Sequence, residues 1–166
     1  MISRIQSVLA IGVVDVAFLS SSARRAGYKV YGVDYHGDQD LKSNCVASLS
    51  LIEQKKENQS VFGGFRVVEL LHLAKELKRR YPIDVALLSS GLDDRYGLLD
   101  ELHGIIPILG NPPDLIRKVR DRKTFFNELG RIGVPHPETA LALDLHEART
   151  RAKDLGFPLL IKPLEG

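Results

Sequence analysis

Three basic side chains in the last third of the sequence are placed where they could bind a phosphate group. Arg122 and Lys123 follow Asp121 at the head of a predicted helix, in "RDRKTFFNELGRIGVP". The free N–H groups and the dipole at the amino end of a helix favour an anion. Lys162 ends the apolar stretch "FPLLIK", whose alternation predicts a strand. Because removing an ammonium group from water is costly, a lysine between apolar neighbours requires a counter-charge, which a nucleotide phosphate would supply.

A second group of polar residues comes directly after predicted buried strands in the first part of the chain. In open parallel sheets, ligands bind at the carboxyl ends of the strands. The residues at these positions are Asp15, Asp34, Ser89, Ser90 and Gly91. They could form the edge of a small-ligand site. No serine stands in a GxSxG motif, so the sequence predicts no catalytic residue among them.

The loop after the second predicted strand carries Asp34, His36, Asp38 and Asp40, which are ligand types for a metal ion. Acidic residues beside a glycine at the end of a strand are also ordinary turn residues. Four ligands on one loop would need support from elsewhere in the chain. We therefore predict no metal site here.

Two common nucleotide-binding motifs are absent from the sequence. A dinucleotide site needs GxGxxG after its first strand so that the backbone can approach the pyrophosphate, whereas Gly12 is followed here by "VVDV". The sequence GxxxxGK[ST] does not occur anywhere. The first domain is therefore predicted to hold neither an NAD site nor a P-loop.

The composition narrows the class of protein further. The 166 residues include 23 basic and 21 acidic side chains, for a formal charge of +2, which predicts no general attraction to nucleic acid or to an anionic membrane. Cys45 is the single cysteine, which excludes an internal disulfide and fits a reducing compartment. Asp15 interrupts the apolar amino-terminal stretch, which argues against a secretory signal. We expect a cytoplasmic protein.

Buried apolar runs alternate with amphipathic segments through the first two thirds of the chain. This predicts an α/β fold with an open, mostly parallel sheet and helices on both faces, Rossmann-like but without GxGxxG. We expect residues 1–113 to form this first domain and residues 114–166 to begin a second, with a strand, a helix and a strand after residue 137. "IIPILGN" predicts a fifth strand or a strand-like turn. The clearest helix has one apolar face made of Val67, Leu70, Leu71, Ala74 and Leu77.

The stretch from Asp114 to Gly166 resembles the opening of an ATP-grasp fold, and the preceding residues resemble the pre-ATP-grasp domain of that superfamily. The similarity rests on an Asp-Arg pair whose arginine, Arg122, stands thirteen positions before Pro135, the residue after a Gly-Val break. It also rests on the apolar stretch that ends in Lys162 before a glycine. "SSARRAGYKVYGVDYHGDQDL" is similar to the archaeal carboligase-like branch, which is related to the biotin carboxylases.

The resemblance implies ATP as the cofactor. Its phosphates would be bound by Arg122, with Lys123 as the alternative, by Lys162, and by Gly166 at the start of a glycine-rich loop. The implied activity is that of a ligase that activates a carboxylate as an acyl phosphate and joins it to an amine or a similar nucleophile. The Mg²⁺ ligands and the second lobe of the family are expected outside this chain. We therefore expect an N-terminal fragment that is inactive alone and whose exposed apolar surface favours a homodimer.

A function of another class is also consistent with the sequence. The chain could be a non-catalytic α/β module that binds a small ligand or a partner through Asp15, Asp34 or Ser89–Gly91. Ligand binding by such a module would be insensitive to Arg122→Ala and Lys162→Ala. The acid and amine substrates of the ligase are not predicted by the sequence, because fold similarity does not choose among them.

Overall fold

The computed structural model describes residues 5–14, 16–54 and 67–163. Its contacts divide the chain into two compact units, Met1–Pro113 and Asp114–Gly166. We refer to them as the first and second units and describe each by itself. Their assignment to a pre-ATP-grasp domain and to the beginning of an ATP-grasp domain stays a prediction.

The first unit contains a four-stranded parallel sheet. Its strands are β1 (Ser7–Ile11), β2 (Lys29–Asp34), β3 (Ala47–Ser50) and β4 (Val85–Leu88), and their order across the sheet is β3-β2-β1-β4. All five side chains of β1 are buried, as expected for a central strand of a covered parallel sheet. The carboxyl ends of β1, β2 and β4 come together, since Ile11 pairs with both Val33 and Leu88.

Five helices of the first unit are α1 (Val16–Arg25), α2 (Gln39–Asn44), α3 (Leu51–Gln54), α4 (Val68–Arg80) and α5 (Tyr96–Ile105). Val8 and Ala10 of β1 share an apolar cluster with residues of α1 and α2. Tyr31 of β2 points to the opposite face, where its ring lies 4.8 Å from the ring of Tyr81 at the end of α4. Helices therefore cover both faces, and the predicted α/β fold is confirmed.

The clearest predicted helix is confirmed as α4. Its buried side chains are Leu70, Leu71, Leu73, Ala74 and Leu77. Four of these were expected from the 3.6-residue spacing, and Leu73 widens the buried face. His72 lies outside this buried face, and its side chain is exposed.

Residues 105–111, which were predicted as a fifth strand or a strand-like turn, form a strand-like turn. Ile105 ends α5, and only Ile108 forms a bridge, parallel to Ala86 of β4. The N–H of Ala86 donates to the carbonyl of Pro107 at 2.9 Å, and the N–H of Leu109 donates to the carbonyl of Ala86 at 2.8 Å. Pro107 has no N–H to extend the ladder, and Gly110 has a φ of 124°, so the pairing ends there.

Among the described residues, three helices follow: α6 (Pro113–Arg120), which begins at the last residue of the first unit, and α7 (Arg122–Arg131) and α8 (Leu145–Leu155) within the second. The helical part of the prediction after residue 137 is confirmed by α8. The two strands predicted on either side of it are wrong, because residues 134–143 and 156–163 carry no strand. A strand needs a neighbour for its backbone N–H and C=O groups. No strand is present among the described residues of this unit, so neither segment has one to pair with.

Candidate functional site

Asp121 forms the cap at the amino end of α7. Its carboxylate accepts hydrogen bonds from the backbone N–H of Lys123 at 3.1 Å, the backbone N–H of Thr124 at 3.3 Å and the hydroxyl of Thr124 at 2.8 Å. The bonds from Thr124, with a smaller contribution from Lys123, lower the pKa of the Asp121 carboxyl below its ordinary value. Two of the N–H groups that were expected to attract an anion are therefore already satisfied by the protein's own carboxylate.

The cationic side chains at this junction, rather than the helix end itself, provide its positive charge. Arg122 is half-buried and Lys123 is exposed. They are preceded on α6 by further basic residues, of which one, Arg117, is held by the Asp114 carboxylate at 2.8 Å. The basic cluster at the α6–α7 junction consists of Arg117, Lys118, Arg120, Arg122 and Lys123. A cluster of this kind can bind an anion by charge, with the Asp121 cap fixing where α7 begins.

Lys162 lies on an exposed, non-helical segment of the second unit. The neighbouring apolar side chains are also exposed, Leu160 by 77% and Ile161 by 78%. The strand that was predicted to end in Lys162 is not formed, and its apolar neighbours do not bury the lysine, which is exposed. Gly166, the other predicted phosphate contact at this end, lies outside the described residues. The phosphate roles of Arg122, Lys123, Lys162 and Gly166 stay predictions.

Ser89 and Ser90 hold the loop that follows β1. The hydroxyls of both residues donate to the carbonyl oxygen of Val14, at 2.9 Å from Ser89 and 3.1 Å from Ser90. The N–H of Val13 donates to the carbonyl of Ser90 at 2.9 Å, and Val14 and Ser90 form an antiparallel bridge. The two serine hydroxyls therefore have a structural task. Asp15, which follows this bridge, lies outside the described residues.

Two glycines allow the end of β4 to pack closely against the β1 loop. Gly91 has a φ of 87°, and a Cβ atom added to it would lie 2.7 Å from Cγ2 of Val13. A Cβ added to Gly12 would lie 2.7 Å from Cβ of Ser89. Both contacts are shorter than side chains tolerate, so these positions require glycine. Gly91 is thus explained by packing and backbone conformation, and Gly12 is a residue whose role was missed from the sequence.

Asp34 is the most buried of the predicted edge residues that the structure describes, with 4% of its surface exposed. Its Oδ1 accepts a hydrogen bond from the N–H of Gly37 at 2.9 Å. Burial raises the pKa of the Asp34 carboxyl, and the negative charge of Asp38 raises it further. Asp34 thus closes the turn after β2 and places an acidic group at the carboxyl edge of the sheet.

A cavity of about 490 Å³ opens beside Asp34, between the segments that follow β1 and β2. The first turn of α1 forms one wall and the residues leading into α2 form the other. Its lining residues are Val14, Val16, Ala17, Phe18, Asp34, His36, Asp38, Gln39 and Asp40. Within the described ranges, no three His, Cys, Asp or Glu side chains are arranged to hold a metal ion. The cavity therefore combines an apolar wall with an acidic one and lies wholly in the first unit.

Comparisons with known proteins extend these observations. No family model matches the chain. The carbamoyl phosphate synthase large chain of Methanothrix thermoacetophila is 35% identical over 103 residues, which is 61% of this chain and 8% of that protein. The large chain of Mesorhizobium japonicum is 41% identical over 58 residues, covering 35% of this chain and 5% of its own. The large chain of Brucella suis is 27% identical over 131 residues, which is 76% of this chain and 11% of that protein.

Solved structures with the same fold come from two kinds of enzyme. The biotin carboxylase domain dimer of Hydrogenobacter thermophilus 2-oxoglutarate carboxylase, solved with MgADP, ADP and bicarbonate, gives a TM-score of 0.66 at 15% identity and covers 93% of this chain and 34% of that one. The ADP complex of N5-carboxyaminoimidazole ribonucleotide synthetase gives 0.64 at 18% identity, covering 95% and 38%. These matches support the resemblance to the ATP-grasp superfamily, while the archaeal carboligase-like branch stays a prediction.

The curated relatives are much longer than this chain, which spans 5% to 11% of the length of the carbamoyl phosphate synthase large chains compared above. The structures share the fold at 15% to 19% identity, and at that level they show the fold alone. No helix among the described residues is long and apolar enough to cross a membrane.

Proposed function

We propose that this chain is part of an ATP-dependent ligase that activates a carboxylate as an acyl phosphate and joins it to an amine or a similar nucleophile. The observation that carries the proposal is the capped start of α7, where Asp121 fixes the helix end directly before Arg122 and Lys123. The relatives that support it are the carbamoyl phosphate synthase large chains, and two of the structural neighbours were solved with ADP.

The phosphate contacts follow from the distribution of charge in the second unit. Because Asp121 occupies the N–H groups of Lys123 and Thr124, an incoming phosphate would be bound by side-chain cations. Arg122 is the first choice, since a guanidinium group can donate two parallel hydrogen bonds to phosphate oxygens. Lys123 is the alternative, and Lys162 would add a third positive charge from its exposed segment.

Cations at these positions would act on the phosphoryl group during transfer. Charge builds on the oxygens of the γ-phosphoryl group, and fixed positive groups offset it without rearranging at the moment of reaction. Mg²⁺ would share this task. We place its ligands outside residues 1–166. We therefore propose that this chain alone does not turn over ATP.

The remaining partners follow from the same proposal. The complete gene product would bind a nucleotide and a small carboxylate and amine, in the cytoplasm, with no nucleic acid or membrane partner. Among the described residues of the second unit, eleven large apolar side chains are more than a third exposed, which favours association such as a homodimer. They are Leu115, Val119, Phe125, Ile132, Val134, Leu141, Leu143, Leu145, Phe157, Leu160 and Ile161.

The test is an equilibrium titration of the complete gene product with a non-hydrolysable ATP analogue and Mg²⁺, with adenosine as the phosphate-free comparison. If side-chain cations contact the phosphates, the analogue binds and adenosine binds at least about tenfold more weakly, a difference of about 1.4 kcal/mol. Equal affinity for the two compounds, or no binding of the analogue, would contradict the proposal.

A second candidate function is favoured by the cavity beside Asp34. A small-ligand module would use this cavity and leave the basic cluster at the α6–α7 junction without a role. It predicts binding of a small ligand to the chain with no requirement for ATP. The two functions are compatible within one protein, since the cavity and the basic cluster lie in different units.

A further inference from the structure

The cavity beside Asp34 has an unbalanced charge. Among the described residues, three carboxylates line it, from Asp34, Asp38 and Asp40, and no lysine or arginine does. His36 is the one basic side chain in this described lining, and its ring packs edge-on against Tyr35 with the ring centroids 4.9 Å apart. A positively charged group entering the cavity would therefore be attracted to several carboxylates at once.

Two of these carboxylates are not tied up in hydrogen bonds among the described residues. Asp38 stands at the cap position of α2, but its side chain makes no capping hydrogen bond. At Asp40 it is the backbone carbonyl that accepts the hydroxyl of Ser43 at 3.0 Å and the amide of Asn44 at 2.8 Å. Within the described residues, neither carboxylate takes part in an ion pair or a hydrogen bond. By contrast, Asp34 has an internal role through Gly37.

The other wall of the cavity is apolar. Val14, Val16 and Ala17 line it together with Phe18, whose side chain is 78% exposed at the start of α1. A phenyl ring so exposed loses the free energy that burial would give, and an apolar ligand that covers the ring regains that free energy. The ring can also attract a cation through its face.

Within the described ranges, no three His, Cys, Asp or Glu side chains are grouped so that they could hold a metal ion. An organic ammonium is larger, donates three hydrogen bonds in different directions, and can carry an apolar body against the opposite wall. The volume of about 490 Å³ is within the range of small-molecule sites.

We propose that the cavity lined by Asp34, Asp38, Asp40 and Phe18 binds a primary amine, with its ammonium group on the carboxylates and an apolar body on the α1 wall. The site itself stands on the cavity, but its role rests on the proposed function, in which this amine is the compound that the ligase joins to the activated acid. Asp38 and Asp40 bind the ammonium, and Phe18 selects for the apolar body.

The test uses two probes of matched shape, 3-methylbutylamine and 4-methylpentanoate, titrated into the full 166-residue chain at pH 7 and low ionic strength and followed by NMR shifts. Low salt is needed because exposed carboxylates are screened within about 10 Å at 0.1 M. The amine is expected to bind and to shift resonances of residues 16–18 and 34–40, whereas the carboxylate is expected to bind at least tenfold more weakly. Equal binding of the two probes would overturn the proposal.

Variants separate the site from a general charge effect. The double variant Asp38→Asn, Asp40→Asn keeps side chains that are compatible with the start of α2 and is expected to weaken amine binding at least tenfold. Asp154→Asn on α8 removes an exposed carboxylate of the second unit and is expected to stay within threefold of wild type. Phe18→Ala is expected to weaken 3-methylbutylamine more than methylamine. Unchanged amine affinity in the double variant, in a chain whose circular dichroism matches wild type, would overturn the assignment.

The same titrations distinguish failure of the site from failure of the proposed function. Loss of ATP-analogue binding in the complete gene product, with amine binding intact, would contradict the ligase and leave the amine site. Nucleotide binding without amine binding would contradict the amine site and leave the ligase.

Discussion

The Asp121 carboxylate accepts hydrogen bonds from both the hydroxyl and the backbone N–H of Thr124, at 2.8 and 3.3 Å. This contact fixes the first turn of α7, and with it the backbone positions of the two cations at that turn. It also means that the amino end of α7 carries its own anion. We therefore expect side-chain cations to provide the main contacts to any external phosphate at this point.

Removing this cap should loosen the start of α7. Asp121→Ala leaves the N–H groups of Lys123 and Thr124 without their acceptor, and the amide hydrogens of residues 123–125 should exchange severalfold faster in hydrogen-exchange NMR. Asp121→Asn keeps a capping oxygen and should remain close to wild type. Identical exchange rates in all three proteins would contradict the capping role.

Gly91 should not tolerate a side chain. Gly91→Ala forces a φ of 87° on an alanine and places its Cβ against Val13, and it should lower the free energy of unfolding by about 1–3 kcal/mol. The matched control is Gly97→Ala within α5, where an added Cβ meets nothing within 4 Å. There the change should be neutral or stabilising by up to about 1 kcal/mol. Urea denaturation measures both, and equal effects of the two substitutions would argue against the close packing of the β1 loop on β4.

Ser89 and Ser90 should substitute for one another. Because both hydroxyls donate to the carbonyl of Val14, either single alanine variant leaves that acceptor satisfied and should cost little. The double variant removes both donors and should lower the free energy of unfolding by about 1 kcal/mol, more than the sum of the single effects. A double-mutant cycle measures this difference. Additive effects would show that the hydroxyls do not share a task.

Asp84 should make the first unit more stable at neutral than at acidic pH. The N–H groups of Gln6 and Ser7 and the hydroxyl of Ser7 donate to its carboxylate at 2.8–2.9 Å and lower its pKa below the ordinary value of 3.8. A depressed pKa contributes stability above pH 3.8 that is lost as the pH falls through the folded-state pKa. Asp84→Asn should therefore destabilise the protein more at pH 7 than at pH 2. Chemical denaturation at the two pH values measures this, and a deficit independent of pH would contradict it.

Asp34 should change the stability of the first unit with pH in the opposite direction. Burial raises its pKa above 3.8, so the ionised carboxylate opposes folding above the folded-state pKa, and the penalty disappears as the pH falls below 3.8. Relative to wild type, Asp34→Asn should therefore be more favourable to stability at pH 7 than at pH 3.5. The Gly37 N–H keeps an acceptor in the variant, since the asparagine carbonyl can take the place of Oδ1. The same denaturation series provides the measurement, and a difference that grows at low pH would refute the assignment.

Several helices and strands of the first unit could be predicted from the sequence because their apolar residues recur at regular spacing. The apolar face of α4 and the buried runs of β1 and β2 are readable from their spacing alone. The strand expected before Lys162 was wrong for the opposite reason. Alternation within "FPLLIKP" is a local property, but a strand exists only with a partner, and the described part of the second unit offers none.

The site depended on contacts between distant residues, which spacing does not encode. Gly12 meets Ser89, and the Val14 carbonyl collects both serine hydroxyls, across more than seventy positions. Because of these contacts, Ser89 and Ser90, which were predicted as ligand-edge residues, have a structural role. The acidic loop at Asp34 was visible in the sequence, but the apolar wall opposite it became part of the same cavity only through the pairing of β1 with β2.

The central claim is that Arg122 and Lys162 bind the phosphates of ATP, and the most direct measurement is the affinity of their alanine variants for a non-hydrolysable ATP analogue with Mg²⁺. In the complete gene product, Arg122→Ala and Lys162→Ala should each weaken binding by tenfold or more, about 1.4 kcal/mol. Lys153→Ala, which removes an exposed charge on α8, should leave it unchanged. If both Arg122→Ala and Lys162→Ala stay within threefold of wild type, less than ~0.7 kcal/mol, the phosphate contacts assigned to them are wrong.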